Sequence, residues 1–305
     1  TITVNNYLNT FHKNFIAEMG AYYKGEIKEL ADLVSPKVGI VSSIGNQHLE
    51  TFKTIETIQN TKMELIEALP EDGLGILNMD NEYIKSYKIK NNVAIKYYSL
   101  SDASADIYVT NITYEENKMK FKFVFKNHEY EAQTKLLGKH SVENILAAIL
   151  VADYKGIAID KVISSINQLK PVPHRLEYKY VSPQLSILDD AFNANTAGIK
   201  ESIKILGNYT NKKRIIITPG LIDLGKDAKS FHQELGTYMT DLVDEIIIIG
   251  NLNKEDLLTG INQTNFDQEK VNTFDNFISG YNYAANLKGE KIILIANDLP
   301  DKFND

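Results

Sequence analysis

Side chains capable of chemistry gather in four places along this 305-residue chain. The first is Glu18-Met19-Gly20, directly after the apolar run Phe15-Ile16-Ala17. The second is Gly45-Asn46-Gln47-His48-Leu49-Glu50, after Val38-Gly39-Ile40-Val41. The third is Lys62-Met63-Glu64, inside a stretch with helical spacing. The fourth joins Gly138-Lys139-His140 and Asn144 to His174-Arg175 and Asp189-Asp190. Most of them follow predicted strands, where open α/β sheets place their ligands. Each residue also has an ordinary structural reading. A carboxylate after a strand is a metal ligand or a helix cap. A histidine beside a loop is a ligand or a satisfied surface group. Lys62 alone reads as a solvated helix lysine, and Arg175 alone as one half of a surface ion pair of small worth.

The elements that must carry these residues alternate in type. Residues 15–17, 38–41 and 75–77 read as buried strands of a parallel sheet, with helical stretches at 25–34 and 54–68 between them. Residues 93–137 break the pattern: Phe121-Lys122-Phe123-Val124-Phe125 and its neighbours alternate apolar with polar residues between turn signals, which predicts a small antiparallel insert. A helix follows from Ser141 to Asp153, ended by Gly156. Pro171-Val172-Pro173 excludes regular helix and marks a stiff, extended boundary. Beyond it the alternation restarts, with strands at 186–188, 214–217, 245–249 and 291–295, and helices at 197–206, 228–242 and 275–287. The Asn- and Asp-rich stretch 251–267 reads as a solvated loop. The residues alone thus predict an α/β protein of two domains, 1–170 and 171–305, with a site between them.

Composition sets further bounds. The length suggests about two domains. Lys and Arg total 33 against 40 Asp and Glu, a formal net charge of −7, which argues against a dominant nucleic-acid footprint. There is no cysteine, hence no disulfide, thiolate metal site or cysteine nucleophile. The longest apolar run, Ile145 to Ala152, is far shorter than the roughly 20 residues that span a bilayer. The opening residues lack the pattern of a signal peptide. The expected setting is therefore cytoplasmic, without membrane or nucleic-acid partner.

Taken in order, Glu18-Met19-Gly20, Gly45 to Glu50, Lys62-Met63-Glu64, Leu69-Pro70-Glu71-Asp72-Gly73 and Asn78-Met79-Asp80-Asn81 resemble the central domain of the Mur ligases. Gly138-Lys139-His140-Ser141-Val142-Glu143-Asn144 continues the match, as do Val172-Pro173-His174-Arg175-Leu176-Glu177 and the run from Leu188 to Asn195. The resemblance covers nearly the whole chain and is nearest to the branch that adds D-alanyl-D-alanine to the UDP-muramoyl tripeptide. The stretch Pro219 to Gly225 and the tail Asn297 to Asp301 are similar to a variant group of these ligases from low-GC Gram-positive bacteria.

This resemblance implies a central P-loop-type domain, lacking its front part, followed by a Rossmann-like C-terminal domain. It implies a monomeric, ATP-dependent, ADP-forming ligase of peptidoglycan precursor synthesis, which joins a carboxylate to an amine through an acyl phosphate. Cations must then neutralise crowded phosphate and carboxylate oxygens. Glu18, His48 and Lys62 would serve Mg²⁺, Lys62 as the family's carbamylated lysine; Lys62, His48 and Arg175 form the implied catalytic set. His140, Asn144, Arg175 and Asp190 would hold ATP, with Asn144 at the adenine, Arg175 at the phosphates and Asp190 at the ribose hydroxyls. Asn193 and Asn195 would face the UDP-muramoyl peptide or the amino acid or dipeptide. One position departs from the family: the first of two asparagines at the adenine-binding helix start is Ser141 here.

The larger departure is a missing motif. No Gly-x-x-x-x-Gly-Lys-[Ser/Thr] occurs in the sequence, although such a loop cradles phosphates in these ligases. The expectation is a fragment, inactive by itself, that lacks the UDP-sugar domain and the phosphate loop. Two alternatives compete with the ligase: a noncatalytic Mur-like binding or scaffold module, and an amide ligase of the folylpolyglutamate or cyanophycin type.

Overall fold

The computed structural model describes residues 8–45, 49–192, 195–222 and 224–296. The chain divides into two compact units. The first runs up to Thr110 and adds Phe123–Glu129 and Glu143–Ile159; the second comprises Asn111–Lys122, Tyr130–Val142 and everything from Asp160.

The first unit begins with helix α1 (Glu26–Val34) and strand β1 (Val38–Val41). A single turn, α2 (Leu49–Phe52), and helix α3 (Ile55–Glu67) lead to β2 (Leu74–Asn78). Helix α4 (Glu82–Ser86) leads to β3 (Ala94–Ser99). All three strands are parallel: Val38 pairs with Leu74 and Leu74 with Ala94. Thr54 starts α3 and Asn81 starts α4 by accepting the backbone N–H of Thr57 and Ile84, each at 3.1 Å. The core beneath these strands is built from Val41, Ile58, Met63, Ile66, Leu77 and Ile84, all nearly inaccessible.

The same sheet continues through β4 (Ile107–Glu115), β5 (Lys118–Phe125) and β6 (His128–Thr134), in the order β1-β2-β3-β4-β5-β6. Two-residue links join β4 to β5 and β5 to β6, which only antiparallel neighbours permit. In the second link Lys126 and Asn127 have φ of 50° and 63°, the left-handed pair of a type I′ hairpin turn. The antiparallel insert predicted over 93–137 is thus real but narrower, because β3 pairs parallel with β2 and β4 enters parallel to β3. Helices α5 (Lys139–Tyr154) and α6 (Ile159–Ile166) follow.

The second unit holds a six-stranded sheet of order β11-β10-β9-β12-β8-β7. Its strands are β7 (Glu177–Ser182), β8 (Leu185–Asp190), β9 (Lys213–Thr218), β10 (Glu245–Ile249), β11 (Val271–Phe274) and β12 (Lys291–Ala296). β8 to β12 are mutually parallel, and β7 is an antiparallel edge strand on β8. Helices α7 (Thr196–Gly207), α8 (Ala228–Thr240), α9 (Lys254–Ile261) and α10 (Phe277–Asn286) connect them. The continuous isoleucine runs of β9 and β10 are buried on both faces, the pattern of a covered parallel sheet.

Three expectations fail locally. Residues 15–17 form no strand: Phe15 is 46% and Ile16 94% exposed, since three residues make too few ladder bonds without a neighbouring strand. Residues 251–267 are not simply a loop, because α9 buries Leu257 and Ile261 among its polar residues. Strands β7 and β11 were not expected; both lie at sheet edges, where half-exposed side chains dilute the apolar signal. Among the described residues no helix is long and apolar enough to cross a membrane.

Candidate active site

In the first unit the chemistry centres on the loop after β1. Three side chains reach its carbonyls: Asn78 donates to Ser42 O at 3.0 Å, Asn81 to Ile44 O at 2.9 Å and Lys62 Nζ to Ser43 O at 3.0 Å. Lys62 stands on the same face of α3 as buried Ile58 and Ile66, four residues to either side, which draws its side chain toward the packed surface instead of into solvent. The Lys62 amine is half-buried, and desolvation lowers its pKa below the ordinary lysine value. Glu64, two residues on, points elsewhere: it accepts the backbone N–H groups of Gly25 and Lys28, each at 3.1 Å, and so ties the start of α1. Glu18 lies exposed in irregular chain, with no partner among the described residues. His48 falls outside the described residues.

Mg²⁺ prefers hard oxygen donors. Glu18 supplies one, and a Lys62 carbamate would supply more, whereas an ammonium would repel the ion. Carbamylation needs a neutral amine, and the buried, depressed Lys62 is suited to it. In that form the oxygen donors of Glu18 and Lys62 suit the ion chemically. Among the described residues no group of three His, Cys, Asp or Glu could hold a metal without it.

In the second unit, β8 ends in two adjacent carboxylates that build the turn His174-Arg175-Leu176. Buried Asp189 receives Lys179 Nζ at 2.5 Å and the His174 ring at 2.9 Å. Asp190 accepts Leu176 N–H at 3.0 Å on one oxygen and the Ser202 hydroxyl on the other. These bonds hold His174 and Leu176 at φ of 62° and 49°, left-handed values that ordinary residues avoid. Between them Arg175 lays its guanidinium over the Phe192 ring, 4.1 Å from the centroid.

Three predicted residues come together here: Arg175, Asp190 and His140. Desolvation lowers the His140 pKa, opposed by Glu201 and Asp190 and reinforced by Arg175. Burial pushes the Asp190 carboxyl up, against the pull of Ser202 and Leu176. Asn144, one turn further along α5, is exposed with its amide unpaired among the described residues. Ser141, at the position of the family's first asparagine, turns its hydroxyl back to Leu137 O at 2.8 Å and offers the surface nothing. Asn195 accepts Gly198 N–H at 2.8 Å and caps α7, so its side chain has a structural task. Asn193 lies outside the described residues.

Sequence reasoning missed Ser202, which tethers Asp190, and Glu201, which accepts Lys139 N–H at 3.3 Å beside His140. Ser202 left a signal: it is a buried hydroxyl on the apolar face formed by Ile199, Ile203 and Leu206.

Residues 1–152 match the Mur ligase middle domain, and residues 174–297 match the Mur ligase, glutamate ligase domain. The chain belongs to the Mur ligase family. Among its relatives is the UDP-N-acetylmuramoyl-tripeptide–D-alanyl-D-alanine ligase of Buchnera aphidicola, 30% identical over 250 residues, or 81% of this chain and 54% of the relative. The Bacillus subtilis enzyme of the same name is 30% identical over 244 residues, covering 78% and 51%. The chain spans about half the length of the curated relatives it matches. A solved MurF from Acinetobacter baumannii superimposes with a TM-score of 0.80 at 21% identity, covering 95% of this chain and 63% of that one. A Thermotoga maritima MurF ligase in complex with ADP gives 0.75 at 22% identity, covering 90% and 61%. At these identities the two structures establish the Mur ligase fold for the chain.

Proposed function

We propose that the protein carrying this chain is an ATP-dependent, ADP-forming amide ligase that adds D-alanyl-D-alanine to a UDP-muramoyl tripeptide, the activity named for its curated relatives. The observation that carries the reading is the turn 174–176, where two carboxylates and a serine fix Arg175 beside Asp190 and His140. A binding scaffold has no need of so constrained an arginine. The domain boundary at 171–173 belongs to the same proposal.

In this reading Arg175 lies against the phosphates and offsets charge that grows as the phosphoryl group moves. Asp190 has spare lone pairs for ribose hydroxyls. Asn144 presents both a donor and an acceptor to the adenine edge. His140, buried and disposed to be neutral, packs at the start of α5 without adding positive charge. Glu18, His48 and carbamylated Lys62 would hold Mg²⁺, which when bound neutralises phosphate oxygens. Asn78 and Asn81 keep the loop after β1 in place for Lys62. ATP supplies the phosphoryl group that turns the substrate carboxylate into an acyl phosphate, from which the dipeptide amine displaces phosphate.

The test is phosphate release from ATP by the protein expressed from its full coding sequence. Release should require both UDP-muramoyl tripeptide and D-alanyl-D-alanine and should fall about a hundredfold or more in Arg175→Ala. Release indifferent to both substrates would overturn the reading.

A further inference from the structure

The stretch Pro219 to Gly225 has no part in the reaction proposed above, yet side chains from three other positions hydrogen-bond the backbone of its first residues. They leave β9 at the same C-terminal edge of the sheet at which Asp190 ends β8, with β12 between the two strands. Two strand spacings, about 10 Å, separate them, which is within the span of one bound substrate.

The hold comes from two buried side chains. His232, on α8 and fully inaccessible, donates from Nδ1 to Ala228 O at 2.7 Å and accepts Leu221 N–H on Nε2 at 3.0 Å. Asn253, just before α9, donates from Nδ2 to Pro219 O at 2.9 Å and to Leu221 O at 3.1 Å. Thr218 Oγ1 accepts Gly220 N–H at 3.0 Å. Gly220 has φ of +81°, and a Cβ there would lie 2.7 Å from His232 Nε2 and 2.8 Å from Asn253 Nδ2. Only glycine lets both side chains reach the loop backbone.

The donor and acceptor pattern fixes the ring state. With its proton on Nδ1, the neutral ring leaves Nε2 as the acceptor that Leu221 N–H requires. A second proton would set N–H against N–H. Around the ring, Gly220 faces it from the loop and Phe231 stacks edge-on from α8. Among the described residues the charged group acting on it is Asp256 of α9, which favours the protonated form. Burial outweighs Asp256 and lowers the His232 pKa below the ordinary histidine value.

We propose that His232 is a positioning residue: as a neutral ring it pins loop 219–221, with Asn253, as a fixed rim of the site, and its protonation releases that rim. The pin stands on the hydrogen bonds alone, while its catalytic consequence rests on the ligase reading. Because the folded pKa is lowered, the pin is complete above the unfolded histidine pKa of about 6.5 and is lost as pH falls through the folded value.

Amide hydrogen exchange of the 305-residue chain reads the pin directly. After correction for the intrinsic rate, Leu221 should be protected near neutral pH, and below the folded pKa of His232 its protection should fall about tenfold per pH unit. His232→Gln, whose amide oxygen still accepts, should keep Leu221 protected with no such pH dependence. Fast exchange of Leu221 at neutral pH, or the same pH dependence in His232→Gln, would overturn the proposal. In the protein from the full coding sequence, His232→Leu should lower kcat with the KM for ATP unchanged, and His232→Gln should restore kcat and remove its acid-side loss. A normal kcat in His232→Leu would overturn the positioning role. Absence of any ligase activity beside intact, pH-dependent protection would refute the functional reading and leave the pin standing.

Discussion

The guanidinium carbon of Arg175 lies 4.1 Å above the centre of the Phe192 ring, and Phe192 N–H returns to His174 O at 3.1 Å. The ring is 53% exposed, so it does not serve a core. It forms a platform that limits where the arginine can point. An exposed pair of this kind is worth about 0.5–1 kcal/mol. Phe192→Leu should therefore weaken nucleotide binding by about two- to fivefold, while Phe192→Tyr should bind as the parent does. Calorimetric titration of ADP into the full-length protein checks this, and equal affinities in all three would remove the platform.

Asp190 gives the second unit a pH signature on the carboxylate side, distinct from that of His232. Burial raises its carboxyl pKa, while Ser202 and Leu176 N–H restrain the rise. An acid with a raised folded pKa contributes stability that is full below its unfolded pKa of about 3.9 and is lost as pH rises through the folded value. Asp190→Asn removes that loss and keeps an oxygen for Leu176. Urea denaturation across this acidic range should show a flatter stability profile for Asp190→Asn than for the parent, with nucleotide affinity reduced. An unchanged slope would show that Asp190 does not titrate in this range.

Much of this arrangement could be read in the sequence, for identifiable reasons. The buried strands β2, β8, β9, β10 and β12 are short aliphatic runs between polar helices, the pattern of a parallel sheet covered on both faces, and the edge strand β1 was legible because it stays aliphatic even at exposed Ile40. Asp189-Asp190 is conspicuous because two adjacent carboxylates at the end of an apolar strand repel each other and resist burial, so they must find partners there. Edge strands β7 and β11 were illegible because half their side chains face water. Helix α9 was hidden because Asn and Asp at its cap and first turn resemble a loop when its two core residues are not weighed. Glu201 gave no signal: its neighbour Lys139 is 62 positions away, and only the fold brings them together.

Two glycines set the spacing of α8 and α9. A Cβ on Gly260 would lie 1.9 Å from Gln233 O, and one on Gly236 would lie 2.3 Å from Leu257 O. Both obstacles are backbone carbonyls, which cannot rotate aside as side chains do. Gly260→Ala must push the helices apart and disturb the packing of Leu235, Leu257 and Ile261. The expected cost is about 1–3 kcal/mol or more, as for other overpacked cores. Thermal unfolding should show a lower midpoint for Gly260→Ala and Gly236→Ala, and an unchanged midpoint in both would contradict the close approach.

Lys62 offers a test that needs no turnover. Its amine is half-buried, bonded only to Ser43 O among the described groups, and its pKa is lowered by desolvation. At a given pH a larger fraction is neutral than for a solvated lysine, and the neutral amine is the form that attacks CO₂. The chain equilibrated with ¹³C-labelled bicarbonate should show one carbamate resonance that is absent in Lys62→Ala. The signal should grow as pH rises through the lowered pKa, since the fraction of neutral amine grows with it. Exposed lysines such as Lys28, whose pKa is raised by Asp32, should give none at the same pH. A resonance that persists in Lys62→Ala would assign the carbamate elsewhere, and no resonance at any pH would remove Lys62 from the metal site.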